Sequence, residues 1–370
     1  MDNVKLYRPR FKQERRLLRS EDTGYQTYYA FPALKRVGDR ALVTVKSGQK
    51  HWGDAEAALT QLTLDIPGQQ MLSRDVIYHT SGFTPQMGEI VQMPNGDVCV
   101  YIDLQKSESN VRVGMWELRS RDGGRTYPIS RAVGAVDGVV YGYPMSMAEK
   151  RGTVYMLVMT FDYLPGGGYR QVDVIRSDDS GESWHFVRNL TKEFGFPFNE
   201  CDLLATDEGF LMFTRGETDR RDRKNSLDDF ASGQHILRLD GDFRVIQARD
   251  LRHETSFFTL TGRPRLYFIQ EQLCLFTRQW NEDAQNRLMS LDMFRLNPET
   301  LEVLSRVRLD APRFPHQDGH YPVAYVQDGM LHVVTYITCD KDERETFTQK
   351  CDLVQLSFRL EEVLSLGEET

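Results

Sequence analysis

The chain of 370 residues carries 46 lysines and arginines against 54 aspartates and glutamates, a formal charge of −8 that argues against a nucleic-acid partner. Hydrophobic residues at 40% and charged residues at 27% supply a core and show no compositional sign of disorder. No apolar run approaches the roughly 18 residues of a membrane helix, so no membrane partner is expected, and the length allows two or three domains or one large β-architecture.

The chain opens basic, with Lys5, Arg8, Arg10, Lys12, Arg15, Arg16 and Arg19 against Asp2 and Glu14. That stretch reads as a solvated or edge-capping segment rather than a binding arm. Met1-Asp-Asn-Val-Lys-Leu-Tyr-Arg-Pro-Arg10 holds no apolar stretch of a secretory signal. Localisation stays open between the cytoplasm and export with a leader removed. The five cysteines, Cys99, Cys201, Cys274, Cys339 and Cys351, are odd in number, scattered, and mostly in strand-like runs. Neither a disulfide framework nor a zinc site is indicated, and no metal or cofactor is expected.

A strand–turn–strand pattern then repeats along the chain. Phe31-Pro32 leads to Gly38-Asp39 and Leu42-Val43; Gly88-Glu89 leads to Asn95-Gly96 and Val98-Cys99; Tyr143-Pro144 leads to Arg151-Gly152 and Val154-Tyr155. Asn199-Glu200-Cys201 leads to Glu208-Gly209 and Leu211-Met212. Arg263-Pro264 leads to Glu271-Gln272 and Leu275-Phe276, and Tyr321-Pro322 leads to Asp328-Gly329 and Val333-Val334. With Pro32, Gly88, Pro144, Glu200, Pro264 and Pro322 as equivalents, the steps are 56, 56, 56, 64 and 58 residues. The long step coincides with the charged stretch 217–229, read as a solvated loop inserted in the fourth unit. Gly-containing pairs between short β-branched or aromatic runs are hairpin turns.

A second motif runs in phase with the first. Ser120-Arg-Asp122-Gly-Gly124-Arg-Thr126-Tyr127 and Ser177-Asp-Asp179-Ser-Gly181-Glu-Ser183-Trp184 place their aspartates 57 residues apart. Asp65, Asp240-Gly241 and Asn297-Pro298 are worn copies. In such a turn Ser and Asp bond nearby backbone N–H groups and Gly takes a positive φ, so these aspartates are structural. Two motifs in phase predict an all-β protein, a six-bladed β-propeller filling residues 1–370 as a single domain. The segment Val4–Tyr7 is expected to help the C-terminal run Asp352–Leu360 close the ring, because closure removes exposed edges.

The two intact turns resemble the Asp-box (BNR) repeats of the sialidase superfamily, whose members are six-bladed propellers. Asn199-Glu200-Cys201 followed by Leu203-Leu204 resembles that family's Asn-Glu-Cys strand, which gives Glu200 the role of activating a tyrosine. Arg215 resembles the second arginine of the family's carboxylate clamp, and Gly262-Arg263-Pro264 the strand that carries the third. Tyr321-Pro322-Val-Ala-Tyr325 resembles the segment bearing the tyrosine nucleophile, an exception among glycosidases that mostly use two carboxylates. Asp54, 22 residues after Pro32, lies where the family's acid/base aspartate sits, with His51 a competitor. The family's first-blade Arg-Ile-Pro is replaced by Ala30-Phe31-Pro32, so the leading clamp arginine is absent. Lys46 or Arg36 could substitute only in part, since an ammonium is a point charge and not a bidentate fork.

The resemblance implies a glycoside hydrolase acting on a terminal, acidic sugar, with catalytic Asp54, Glu200 and Tyr321, and with Arg215, Arg263, His51, His320, Lys46 and Tyr143 against a carbohydrate substrate. Trp52, Tyr141, Tyr143, Phe198 and Trp280 are candidate sugar-stacking walls, although most propeller aromatics pack between blades. Glu200 has a plain alternative as a carboxylate paired with Arg215 or Arg263, Tyr321 as core packing, and Asp54 as a turn residue. Two other functions compete. A polysaccharide lyase would draw on His51, His320, Tyr321 and Arg263 for uronate elimination, and a sugar- or protein-binding propeller would need no chemistry.

Overall fold

The structure, a computed structural model, describes residues 4–22, 26–67, 69–216, 233–251, 262–280, 289–313, 318–339 and 350–367. The charged stretch 217–229 and the Trp280 side chain lie outside what is described. The protein is all-β, 61% strand and 4% helix, in a propeller arrangement. The chain divides into two compact units, Leu18–Glu193 with Lys350–Asp352, and Met1–Leu17 with Phe194–Gln349 and Leu353–Thr370.

In the first unit, Phe83–Gln92, Val98–Lys106, Arg112–Ser120 and Ile129–Ala132 form one up-and-down sheet, and Tyr143–Lys150, Thr153–Met159, Val172–Ser177 and His185–Asn189 form the next. The strands Tyr28–Val37, Arg40–Gly48, Ala58–Asp65 and Gln70–Tyr78 meander in the same way. In the second unit, Phe198–Ala205, Phe210–Gly216, Gln234–Leu239 and Val245–Asp250 make one sheet. Gly262–Ile269, Gln272–Trp280, Met289–Leu296 and Val303–Asp310 make another. Val323–Gln327, Met330–Thr338 and Cys351–Arg359 follow.

Among the described residues four blades are counted in place of the six expected. The difference has a local origin. Tyr28 pairs in parallel with Cys351, and that bridge makes hydrogen bonding count the remaining strands as one eight-stranded sheet. The N-terminal expectation is also corrected. Leu6–Tyr7 pairs in parallel with Val303–Asp310, while Gln13–Leu18 pairs with the final strand Cys351–Arg359. Leu6–Tyr7 covers one sheet edge, and Gln13–Leu18 reaches the last strand.

Each unit has its own cores. Leu42, Leu59, Val98 and Val100 gather in one cluster of the first unit, and Tyr101, Met156, Val158 and Ile175 in another. In the second unit Phe213, Ile236, Leu275 and Phe294 form one cluster, and Phe276, Met293, Val333 and Phe358 form the other. The hairpins follow the sequence pattern. Arg151-Gly152 and Asp328-Gly329 both take positive φ, the mirror-image turn that matches strand twist. In the fifth repeat Gln270-Glu271 adopts the same form without glycine, one residue earlier than the Glu271-Gln272 turn expected.

The paired Ser-x-Asp turns share one hydrogen-bond network. Gly124 N–H donates to Ser120 Oγ at 2.8 Å, Thr126 N–H to Asp122 Oδ1 at 2.9 Å, and the Thr126 hydroxyl to Asp122 Oδ2 at 2.7 Å. Gly181, Asp179 and Ser183 repeat it at 2.7, 2.9 and 2.6 Å. A Cβ on Gly181, whose φ is +86°, would lie 2.7 Å from Tyr101 Oη, so the turn is seated directly on buried Tyr101. What little burial there is at Asp179 opposes ionisation, but bonds from Ser183 and Ser177 outweigh it and bring the carboxyl down to about 2.

Because the folded carboxyl sits below its unfolded value near 3.9, its stabilisation is complete above roughly pH 4 and is lost as pH falls through about 2. Asp179→Ala should destabilise by about 2 kcal/mol at neutral pH, the low end for several solvent-facing hydrogen bonds, read by urea denaturation. The gap between variant and wild type should narrow as pH falls from 4 to about 2.

Candidate functional site

The second unit gathers the expected Glu200, Arg215, Arg263 and Tyr321, and it does so through irregular strands. The pairing register breaks between Phe198 and Cys201 and again between Gly262 and Arg265. These bulges take Asn199, Glu200, Arg263 and Pro264 out of the regular ladder. Arg263 has φ +31°, in the left-handed region, and its N–H donates to Glu200 Oε2 at 2.9 Å. Three residues on, the Leu266 N–H donates to Asp202 Oδ2 at 2.6 Å. The two carboxylates therefore act as side-chain rungs joining the leading strands of neighbouring sheets.

Glu200 lies at the centre. Tyr321 Oη donates across both carboxylate oxygens, 2.8 Å from Oε1 and 3.1 Å from Oε2. Arg215 Nη1 donates to Oε2 at 2.7 Å, and Arg215 Nε is steered by Asn199 Oδ1 at 2.7 Å. Burial works against the Glu200 charge, but the guanidinium groups of Arg215 and Arg278, with the Arg263 N–H, prevail and hold the carboxyl below its usual range. Tyr321 goes the other way. Burial pushes its phenol up to about 12, with Arg278 pulling down and Glu200 pushing up. Burial, reinforced by nearby Arg265, drives the Arg263 guanidinium well below its ordinary value, and Tyr321 and Tyr336 oppose that.

The segment carrying Tyr321 is fixed from behind. His320 is wholly buried, has φ +65°, and its Nε2 meets Asp310 Oδ2 at 2.9 Å. Asp310 also pairs with Lys12 and with Arg313. This places His320 as an anchor one residue before the tyrosine. The Thr335 hydroxyl bonds Tyr321 O at 3.0 Å, and Tyr336 sets its ring edge-on at 5.9 Å.

The first unit holds the other expected residues. Lys46 is fully buried and donates to Lys50 O at 3.0 Å, His51 O at 2.8 Å and Gln86 Oε1 at 3.0 Å, which uses all three ammonium donors. Asp54 accepts from the N–H groups of Gln49, Lys50 and Glu56 at 2.6, 3.1 and 3.3 Å. It binds the loop that contains it. His51 Nδ1 meets the Tyr28 hydroxyl at 3.0 Å, and Tyr143 is covered by Arg112 at 5.0 Å from its ring centre. Tyr141 is core and bonds Asp173 at 2.8 Å, Trp52 is exposed, and in the second unit Phe198 is core. Ala30 pairs with Lys46 and is buried. The register break in the second repeat surrounds Gln86, two residues before the Gly88 chosen from sequence.

Sequence reasoning missed Arg278 and Asp318, and it named Asn199 and Gly262 only as parts of their motifs, without a role. Arg278 Nη2 donates to Tyr321 Oη at 3.4 Å, and the guanidinium lies 4.5 Å from the Tyr321 ring centre. A signal existed. Phe213-Thr214-Arg215 recurs as Phe276-Thr277-Arg278, each triplet in the last residues of the second strand of its repeat. Gly262 is required by contact, because a Cβ there would lie 2.4 Å from both Arg278 Nε and Tyr321 Cε1. Among the described residues no group of acidic, histidine or cysteine side chains could hold a metal ion, and all five cysteines are free thiols. No helix among those residues is long and apolar enough to cross a membrane.

No protein-family model matches the chain. No curated protein matches its sequence. Solved structures match its fold. A protein of unknown function from Dyadobacter fermentans DSM 18053 aligns over 94% of this chain and 99% of its own, at 14% identity and TM-score 0.65. The NanB sialidase of Streptococcus pneumoniae, in complex with 2-[(3-chlorobenzyl)ammonio]ethanesulfonate, aligns over 94% and 71% at 11% identity and TM-score 0.64. The intramolecular trans-sialidase from Ruminococcus gnavus, in complex with oseltamivir carboxylate, aligns over 96% and 98% at 9% identity and TM-score 0.65. The chain is thus similar to sialidases in fold, a sialidase-like propeller.

Gly262→Ala should leave melting within a few degrees yet displace Tyr321 or Arg278, since both near atoms belong to side chains that can swing aside. A crystal structure of the variant should show the Tyr321–Glu200 hydrogen bond lengthened beyond about 3.5 Å.

Proposed function

We propose that the protein is a sialidase-like glycoside hydrolase, exo-acting on a terminal acidic sugar and retaining through a tyrosine nucleophile. The observation that carries this reading is Tyr321 Oη at 2.8 and 3.1 Å from the two oxygens of a Glu200 carboxylate held ionised by arginines. A phenol pushed up to about 12 is a poor nucleophile by itself, and a carboxylate on its hydroxyl gives the proton somewhere to go as attack proceeds.

In the first half-reaction Tyr321 Oη bonds to the anomeric carbon as its proton passes to Glu200. The glycosidic C–O bond breaks, and the leaving oxygen takes a proton from the general acid. In the second half, water attacks the anomeric carbon and gives its proton to that acid's conjugate base. The Tyr321 C–O bond breaks and Glu200 returns the phenol proton. The resemblance assigns the acid/base role to Asp54, with His51 the alternative, and gives Arg215 and Arg263 the anionic group of the sugar. Six blades follow if the eight-stranded sheet is two, Tyr28–Val37 through Gln70–Tyr78 forming one and Val323–Gln327, Met330–Thr338, Cys351–Arg359 and Gln13–Leu18 the other. The two Ser-x-Asp turns then serve as its Asp-box repeats.

The absent first-blade arginine narrows the substrate. Ala30 offers no cation, and the ammonium of its strand partner Lys46 is spent on carbonyl and amide oxygens. One lost charge-assisted contact should weaken sialoside turnover about tenfold to a hundredfold relative to another acidic sugar. The test is a panel of chromogenic sialosides and uronides with wild type and Tyr321→Phe. Hydrolysis of an acidic glycoside by wild type, lost at least about a thousandfold in Tyr321→Phe, is the expected result, together with a covalent sugar adduct on Tyr321 from a fluorinated glycosyl fluoride. Release of an ultraviolet-absorbing unsaturated uronate would replace hydrolysis with elimination, and no turnover of any glycoside would leave a binding propeller.

A further inference from the structure

The Tyr321–Glu200 pair stands between two guanidinium groups that do different things. Arg215 bonds the carboxylate at 2.7 Å and Arg278 bonds the phenol oxygen at 3.4 Å, with its guanidinium carbon 4.5 Å from the tyrosine ring centre. Arg278 is itself held from behind by Asp318, whose Oδ1 lies 3.7 Å from Nη1 and accepts the Tyr336 hydroxyl at 3.1 Å. Arg278, Tyr321, Glu200 and Asp318 are all under a tenth exposed, so water does little to screen these charges.

Proton transfer from Tyr321 to Glu200 moves one negative charge from the carboxylate to the phenol oxygen. A cation beside the carboxylate opposes that movement and a cation beside the phenol oxygen favours it. Arg215 stands at the first position and Arg278 at the second. The electrostatic causes divide in the same order, Arg215 leading Arg278 among the cations acting on Glu200 and Arg278 leading Arg215 on Tyr321.

We propose that Arg278 is a catalytic residue of this site, the group that holds the charge on Tyr321 Oη when the oxygen attacks and again when it leaves. Arg215 keeps Glu200 ionised and ready to accept; Arg278 makes the acceptance productive. The role rests on the hydrolase reading for its chemistry, though its electrostatics can be measured separately. It also explains why residue 262 is glycine, since a side chain there would enter the space that Arg278 and Tyr321 share.

Two measurements test this. With 3,5-difluorotyrosine at position 321, whose phenol ionises at lower pH than tyrosine, the fluorine resonances report its titration in the full-length protein. Arg278→Gln should move that midpoint upward by at least tenfold in proton concentration, and Arg278→Lys should restore most of the change. On the preferred acidic glycoside, Arg278→Gln should lower kcat about a hundredfold with KM within about twofold, the loss typical of one oxyanion donor. If Arg278→Gln does not fold, Asp318→Asn is read in its place, and with one anion removed behind Arg278 the midpoint should fall. A midpoint unmoved in the folded Gln variant, or in Asp318→Asn where that variant is used, overturns the proposal. So does a rise in KM with kcat unchanged, which would make Arg278 a substrate clamp. A shifted titration in a protein that turns over no glycoside supports the electrostatic role and discards the hydrolase reading alone.

Discussion

A carboxylate removed from water must be surrounded by donors, and the second unit is shaped around that demand at Glu200. Burying an isolated charge costs far more than any one hydrogen bond returns, so its neighbours must come close and remain there. The Arg263 backbone turns through a left-handed φ to present its N–H, Arg215 is steered by Asn199, and Tyr321 is anchored one residue upstream through His320 and Asp310. Each of these features would be a local defect in an ordinary strand. Together they satisfy one charge and leave a phenol in contact with it.

Among the described acidic residues two kinds stand out, and residue type does not distinguish them. Asp122 and Asp179 take their donors from within a few residues in the chain, which makes them fasteners of single turns. Asp54 belongs with them, its carboxylate filled by N–H groups of Gln49, Lys50 and Glu56. Glu200 and Asp202 instead accept from residues 63 and 64 positions away, and Glu200 from one 121 away. Such a carboxylate joins segments that have no other reason to meet. A proton or charge moved there is felt by several strands.

Much of the architecture was legible because hairpins are local. Asn95-Gly96, Arg151-Gly152 and Asp328-Gly329 announce their turns within a few residues, and the paired Ser-x-Asp turns fix the period. The meeting of Glu200 with Tyr321, Arg215 and Arg263 was legible through resemblance at their strand starts. Blade count was not, since a single pairing between Tyr28 and Cys351 alters how sheets are divided, and no local pattern encodes one bridge. Lys46 read as a free cation because sequence does not show that the loop after it turns its carbonyls inward. Arg278 was missed for a related reason. Its role depends on which face of a strand end meets Tyr321, and the bulge between Gly262 and Arg265 resets that register.

The pairing of the N-terminal strands has a consequence for biosynthesis. Leu6–Tyr7 waits for Val303–Asp310, and Gln13–Leu18 waits for Cys351–Arg359, with Arg10 and Phe11 N–H groups donating to Glu362. At about 5–20 residues per second, the opening segment leaves the ribosome tens of seconds before its partners exist. For that interval its partners are missing, so its own unpaired backbone is an invitation to other chains. Lys5, Arg8, Arg10, Lys12, Arg15, Arg16 and Arg19 crowd into this one stretch. Like charges crowded on an unpaired segment disfavour its pairing with a second copy of itself, which is how sheet edges are commonly protected.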